Sequence, residues 1–282
     1  MDEQHAPDGS RARSRRRALL VGAVAIALAA PIAILTRDRA PSPASAPPPA
    51  ASWNGDFDTG DLSQYDAVQG DAPDRIQTVT SPRREGRFAV RLTAEDGDFA
   101  DSPNPRAQLL TSIMHRPGEE QYIGWSTYFP ADFPAIGGTD PFYVFFQFHG
   151  PPYNGSPPLG FEVGTDGQLA LSRSARYGYD QVWTAPLARD RWVDFVVHVK
   201  WSMDEDGFVE LWLDGRRQTF SVNGLQRLPM QTIEDDQLDG VQTIPTNYRR
   251  RGIFPGAITI YHDEVKVGTS YAAVAPRSST DD

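Results

Sequence analysis

The sequence predicts an all-β chain folded as one double-sheet jelly-roll sandwich, and three observations carry that prediction. From Trp53 onward, short segments alternate apolar and polar residues at the period of a strand, with few stretches at helical period. Glycine, proline, asparagine and aspartate break these segments at close intervals, as in "TDGQ" at 165–168 and "DEDGF" at 204–208, which supply tight turns between neighbouring strands. No repeat of fixed length runs through them, which argues against a propeller and for a single sandwich.

In chain order, residues 1–37 come first. The arginine-rich "SRARSRRR" precedes an apolar run from Ala18 to Leu35, the pattern of an export signal peptide or of a transmembrane anchor with its basic tail in the cytoplasm. "SRRRALL" is similar to a twin-arginine signal, and Ala27–Ala29 offers a small-residue cleavage site. Pro31 interrupts the run, and its length lies near the lower limit for a membrane span, so both a cleaved and an uncleaved segment fit. Either places the remainder outside the cytoplasm, secreted or held at the membrane by this segment alone. Residues 38–52 are proline, alanine and serine with little apolar bulk, expected to be a disordered spacer. The sandwich is expected over 53–275 and a disordered tail over 276–282.

The clearest strands are "RFAVRLTA", "RAQLLTSI", "QYIGWSTYF", "FYVFFQFH", "LGFEVG", "QLALSRS", "WVDFVVHVKWS", "GFVELWLDG", "RQTFSV" and "AITIYHDEVKVG". Residues 225–250 lack alternation and are read as a long loop crossing one face.

Charge and composition then exclude whole classes. The first 52 residues hold seven of the 27 basic and four of the 37 acidic residues, leaving 20 against 33 and a net charge of −13 on the folded part. So acidic a domain is a poor binder of nucleic acid. Without cysteine the chain has neither disulfide nor thiolate, so a metal would need oxygen or imidazole ligands. Asp56, Asp58, Asp61 and Asp263 form a candidate structural calcium cluster, and turn-forming aspartate explains them equally well.

Side chains two apart on a strand share a face. In "FYVFFQFH" this rule puts Phe142, Val144, Phe146 and Phe148 toward the core, and Tyr143, Phe145, Gln147 and His149 on the opposite face. It likewise groups Arg106 with Gln108, and His198 with Lys200 and Ser202. If these strands share a sheet, their polar rows form a groove with a cationic floor. Tyr122, Trp125, Tyr143, Tyr177, Tyr179 and Trp183 would offer rings for sugars to stack on. A plain account competes for each: His149 as a bonded histidine at a strand end, Arg106 as a rim ion pair with Asp101 or Glu162, and "RRR" at 249–251 as a solvated cluster.

Three segments in order resemble motifs of the jelly-roll, concanavalin-like polysaccharide lyases, the group of heparin lyase-like, glucuronan and alginate lyases. "RAQL" at 106–109 resembles an "RxEL" strand, "QFH" at 147–149 a "QIH" strand, and "YRRRGIF" at 248–254 a "YFKAGVY" segment. "GDFDTGDLSQYD" and "ITIYHDEVKVGTSY" are similar to the first and last strands of such chains.

The resemblance implies β-elimination on a uronic-acid polysaccharide, with no cofactor required and a monomer expected. The proton on carbon 5 leaves and the oxygen on carbon 4 is expelled; neutralising the adjacent carboxylate stabilises the charge that develops. It implies Arg106 and Gln147 on that carboxylate and His149 as base or its assistant; with the strand faces taken into account, Gln108, Tyr143, His198, Lys200, Arg250 and Tyr261 are the substrate-binding candidates. The family's tyrosine is Phe254 here, which moves no proton, so Tyr248 or Tyr261 is the candidate substitute, or His149 handles both protons. Failing these, the chain would be a non-catalytic carbohydrate-binding relative. A glycoside hydrolase of the same architecture needs paired carboxylates on one strand, and "DEDGFVE" sits at a turn with the wrong spacing.

Overall fold

A computed structural model describes residues 50–99, 104–138, 141–174 and 178–277. The expected signal or anchor, most of the spacer and residues 278–282 lie outside the described residues, as do Asp101 and Tyr177. Among the described residues no helix is long and apolar enough to cross a membrane.

The strands run β1 (Trp53–Gly55), β2 (Ala67–Gln69), β3 (Ile76–Val79), β4 (Ala89–Ala94), β5 (Arg106–Leu110), β6 (Met114–His115), β7 (Glu120–Phe129), β8 (Tyr143–His149) and β9 (Leu159–Val163). They continue with β10 (Gln168–Arg173), β11 (Asp180–Pro186), β12 (Arg191–Lys200), β13 (Phe208–Leu213), β14 (Arg216–Arg217), β15 (Leu228–Pro229), β16 (Val241–Arg249) and β17 (Ile258–Gly268), and end in a one-turn helix α1 (Tyr271–Val274). Two antiparallel sheets result. One has the order β14-β13-β12-β7-β17-β4-β3, with β1 and β15 attached; the other has the order β11-β10-β9-β8-β16-β5-β2, with β6 attached. Strands far apart in sequence lie side by side, β7 against β17 and β8 against β16, as a jelly-roll sandwich requires.

The core fills the space between the sheets and is unusually aromatic. Trp125 of β7 stacks on Phe146 of β8 at 3.8 Å and on Phe195 of β12 at 5.0 Å, joining the sheets through their ring faces. Phe148 packs on Trp201 at 5.3 Å. Such pairs add about 0.5–1.5 kcal/mol each beyond the area they bury. Trp125 and Trp183, expected to meet sugar, are core residues instead.

Two expectations fail for physical reasons. Residues 241–249, read as part of a loop, form β16, a central strand hydrogen-bonded to both β8 and β5. Its residues are buried on both faces, so the alternation that marks a half-buried strand is missing, and Pro245 hides it further. The proline is tolerated where the register to β8 shifts, between Pro245 and Tyr248. Second, a register irregularity between Val144 and Phe146 interrupts the alternation of β8. Tyr143 and Phe145 therefore turn inward, beside Phe133 at 5.2 Å and Phe129 at 5.2 Å respectively. Tyr143 is fully buried and is no part of a groove. Beyond the irregularity the expected faces return: Phe146 and Phe148 in the core, Gln147 and His149 opposite.

Candidate active site

On the face of the eight-stranded sheet turned away from the core lies a cleft of about 310 Å³. Its lining includes Arg106 and Gln108 of β5, Gln147 and His149 of β8, Ile244 and Tyr248 of β16, Gln69 of β2, and Tyr153 from the loop after β8. Cross-strand pairing brings them together: Tyr248 lies opposite Arg106, Gln147 opposite Ile244, and His149 opposite Gln242. Directly opposed residues stand about 4.5–5.5 Å apart, so three strands deliver guanidinium, amide, imidazole and phenol to one place. No carboxylate is among the residues lining the cleft.

Each group is held in its own way. The Arg106 guanidinium lies 4.6 Å from the Phe99 ring centroid, an arrangement that keeps a cation oriented. Phe99 is presented by the loop at 96–99, which the arginine cluster clasps. Arg249 is buried and bonds Asp96 at 2.7 Å, Gly252 N–H donates to the same carboxylate at 3.0 Å, and Arg251 donates to the carbonyls of Asp96, Asp98 and Phe99. Arg249 and Arg251 of the "RRR" run thus form a structural clasp on that loop. Arg250, expected to touch substrate, sits beside the cleft with its guanidinium 5.4 Å from the Phe142 ring, which packs on Tyr248 at 5.0 Å.

The amides divide into two kinds. Gln108 donates to Gln69 at 2.7 Å and accepts from Thr246 at 3.3 Å, so it braces the floor. Gln147 is 5 % exposed and has no side-chain hydrogen bond to a described residue, which leaves its amide for whatever enters. At the other side His149 Nε2 donates to the Asn154 carbonyl at 3.3 Å. A carbonyl only accepts, so Nε2 carries the proton in neutral imidazole and Nδ1 is the basic nitrogen. Burial pushes the His149 pKa below its ordinary value, outweighing the Asn154 bond and the charge of Asp236, which raise it. Tyr248 Oη accepts from Asn104 Nδ2 at 3.3 Å, which aims the phenol and leaves its own proton as the donor it can offer.

Tyr153 is the residue that sequence reasoning missed. Its ring stands edge-on to His149, 5.5 Å away at 87°, and its hydroxyl donates to Gln242. The signal was "GPPYNGSPP", a run of turn residues directly after the histidine, which marks a loop folding back over the strand end.

Three expected substrate contacts are elsewhere. His198 and Lys200 lie on β12 and Tyr261 on β17, all in the nine-stranded sheet, on strands other than those that carry Arg106, Gln147 and His149. His198 is bonded by Glu210 at 2.7 Å and Glu120 at 2.8 Å and stacked on Tyr122 at 4.0 Å; Lys200 pairs with Asp206 at 2.6 Å; Tyr261 packs on Tyr128 at 5.9 Å. Phe254 packs against the core and does not line the cleft. The four aspartates are occupied by local bonds: Asp58 accepts from the Arg87 and Phe88 amides, Asp61 from Ser63, Asp56 from Gln64, and Asp263 from the amides of Arg84, Glu85 and Glu264. Among the described residues no group of three or more acidic or histidine side chains is arranged to hold a metal ion.

Comparison with known proteins bears on the fold and on the family. The chain is similar in structure to an endo-β-1,4-glucuronan lyase of the fungus Trichoderma reesei, at 20 % identity and a TM-score of 0.63, over 82 % of this chain and all of that one. It is also similar to the catalytic domains of a β-glucanase of glycoside hydrolase family 131 from Podospora anserina (13 %, TM-score 0.57, 82 % of this chain and all of that one) and of a family 131 protein from Coprinopsis cinerea (13 %, TM-score 0.55, 82 % and 98 %). These likenesses establish the fold. No functionally curated protein matches the sequence. A family model described as polysaccharide lyase matches residues 57–266, from the first aspartate-rich turn to the last strand, and the chain therefore belongs to the polysaccharide lyase family.

Proposed function

We propose that this lyase is exported and cleaves a uronic-acid-containing polysaccharide by β-elimination in the cleft around His149. The observation that carries the reading is the composition of the lining: a cation, accessible amide, imidazole and phenols, without a carboxylate. Hydrolysis of a glycoside needs two carboxyl groups flanking the bond, roughly 5–9.5 Å apart. Elimination needs instead a site that accepts a carboxylate and moves two protons.

In this reading Arg106 and the Gln147 amide bind the carboxylate of the uronate and favour the charge that gathers there as the carbon 5 proton leaves. His149 Nδ1 takes that proton. The electron pair forms the bond between carbons 4 and 5, the bond from carbon 4 to its oxygen breaks, and Tyr248 donates a proton to the departing oxygen. Proton return from imidazolium to phenolate through solvent resets the site. A buried, neutral His149 suits the base because it is unprotonated below the usual imidazole range. Phe254 does not disable the scheme, since Tyr248 and Tyr153 supply phenols in the cleft. The glucuronan lyase named above makes polyglucuronate the first substrate to try.

The test follows ultraviolet absorbance of the new double bond with glucuronan, alginate and a heparin-type glycan. A rise with at least one polymer, abolished in His149→Ala, supports elimination; binding without any rise points to a carbohydrate-binding role.

A further inference from the structure

Beyond Gln147 the same sheet face carries a second polar cluster. Leu159, Phe161 and Val163 of β9 and Leu169 and Leu171 of β10 enter the core, so Gly160, Glu162, Ala170 and Ser172 face the cleft side. Gln147, Gly160 and Ser172 stand opposite one another on successive strands. A Cβ on Gly160 would lie 3.3 Å from Ser172 Oγ and 3.6 Å from Glu162 Oε1. The glycine thus leaves two oxygens on the ground next to Gln147.

Glu162 is 6 % exposed and accepts from Ser172 Oγ at 2.6 Å and from the Tyr179 hydroxyl, and no described cation pairs with it. Tyr179 itself is 59 % exposed, with Gln181 donating to its hydroxyl at 3.2 Å, so its ring remains open to a ligand. A carboxylate offers about four acceptor positions and two are used here. What it can still receive is a hydroxyl donor; a second anion would meet a like charge in a poorly solvated place.

Resting on the elimination reading above, we propose that Glu162, Ser172 and Tyr179 form a neighbouring sugar subsite that reads free hydroxyls and refuses anionic groups carried on those hydroxyls. The sugar adjoining the cleaved uronate then has to present unsubstituted hydroxyls to Glu162, and sulfated uronate polymers are poor substrates. Glu162 selects by acceptance as well as by repulsion, because a sulfate removes the donor that it binds.

The experiment compares glucuronan with the same polymer partly O-sulfated, on the wild type, Glu162→Gln and Tyr179→Phe. Double-bond formation is measured, together with calorimetric binding of both polymers in a His149→Ala background. The wild type is expected to discriminate against the sulfated polymer at least tenfold, mainly in KM. Glu162→Gln should remove most of that discrimination by improving KM for the sulfated polymer. Tyr179→Phe, an exposed change that leaves the charge in place, should keep the discrimination while weakening glucuronan binding about threefold. Equal use of both polymers by the wild type, or undiminished discrimination in Glu162→Gln, overturns the proposal. If neither polymer yields a double bond, the elimination reading fails instead, and the calorimetric ratio between polymers decides the subsite by the same criteria.

Discussion

Two of the histidines, His149 on the eight-stranded sheet and His198 on the nine-stranded one, differ in what surrounds them. His198 is gripped by Glu120 and Glu210, and Glu210 is in turn bonded by Arg217 and Arg227. Both ring nitrogens face carboxylates, so every charge has its partner. His149 has one backbone carbonyl, a tyrosine edge, and a cleft with an arginine and no carboxylate. The same residue types thus make a closed ion network on one sheet and an unfinished one on the other. The lesson is that pairing, more than residue identity, separates a structural histidine from a candidate base.

The sharpest way to break this contrast is to remove each histidine in turn. His149→Ala is expected to lower kcat by about 10²–10⁴, the usual worth of a positioned base, with the fold intact by circular dichroism. His198→Ala should leave kcat/KM unchanged and lower stability by about 1–3 kcal/mol, because it strips bonds from the buried Glu210. Activity lost in both or in neither variant would dissolve the distinction.

Next in size is Arg106→Gln, which keeps donors and loses charge. A loss of about 10²–10³ in kcat/KM is expected if the cation stabilises charge in the transition state. The matching change on the other sheet, Lys200→Gln at an exposed pair, should be silent in kinetics.

A pH profile sharpens the comparison further. His149 titrates below the ordinary imidazole value, so kcat/KM is expected to hold as pH falls through 6.5 and to drop only below it. An acid limb at or above 6.5 would show that the base is some other group.

Stability has its own profile. His115 and His262 are buried and pushed down to about 4, so between there and 6.5 the unfolded chain binds more protons and stability is lost as pH falls. Burial pushes Asp263 up to about 8, so between 3.8 and 8 the folded chain holds the extra proton and stability is lost as pH rises. Among these three groups the histidines outweigh Asp263 below 6.5 and Asp263 outweighs them above it, so their joint contribution to stability peaks near pH 6.5. Asp263→Asn should flatten the alkaline side, and a Tm unchanged from pH 5 to 8 would contradict the assignment.

The smallest effect expected is that of Tyr261→Phe, with unaltered kinetics because its ring packs on Tyr128 far in sequence and sheet from the cleft strands.

Much of this was legible in the sequence, and the gaps have physical causes. Period-2 alternation marked β7, β12 and β17 and placed Gln147 and His149 on the face opposite Phe148. Alternation states a face but never a sheet, which is why His198 and Lys200 were grouped with the cleft. It also cannot see a bulge, so Tyr143 was turned outward when the irregularity at Val144 and Phe146 turns it in. A strand buried on both faces has no alternation to read, and that concealed β16, the strand that carries Tyr248. Tyr153 lies on a loop, where strand period says nothing.

One measurement bears on the central claim most directly: calorimetric affinity of a uronate oligosaccharide and of its carboxyl-reduced, neutral counterpart for the wild type and for Arg106→Ala. The account predicts that the wild type favours the uronate by about 10–150-fold, the range of a charge-assisted hydrogen bond of about 1.5–3 kcal/mol, and that Arg106→Ala binds the two nearly alike. Equal affinity of the wild type for both, or a preference that survives loss of the arginine, would contradict it.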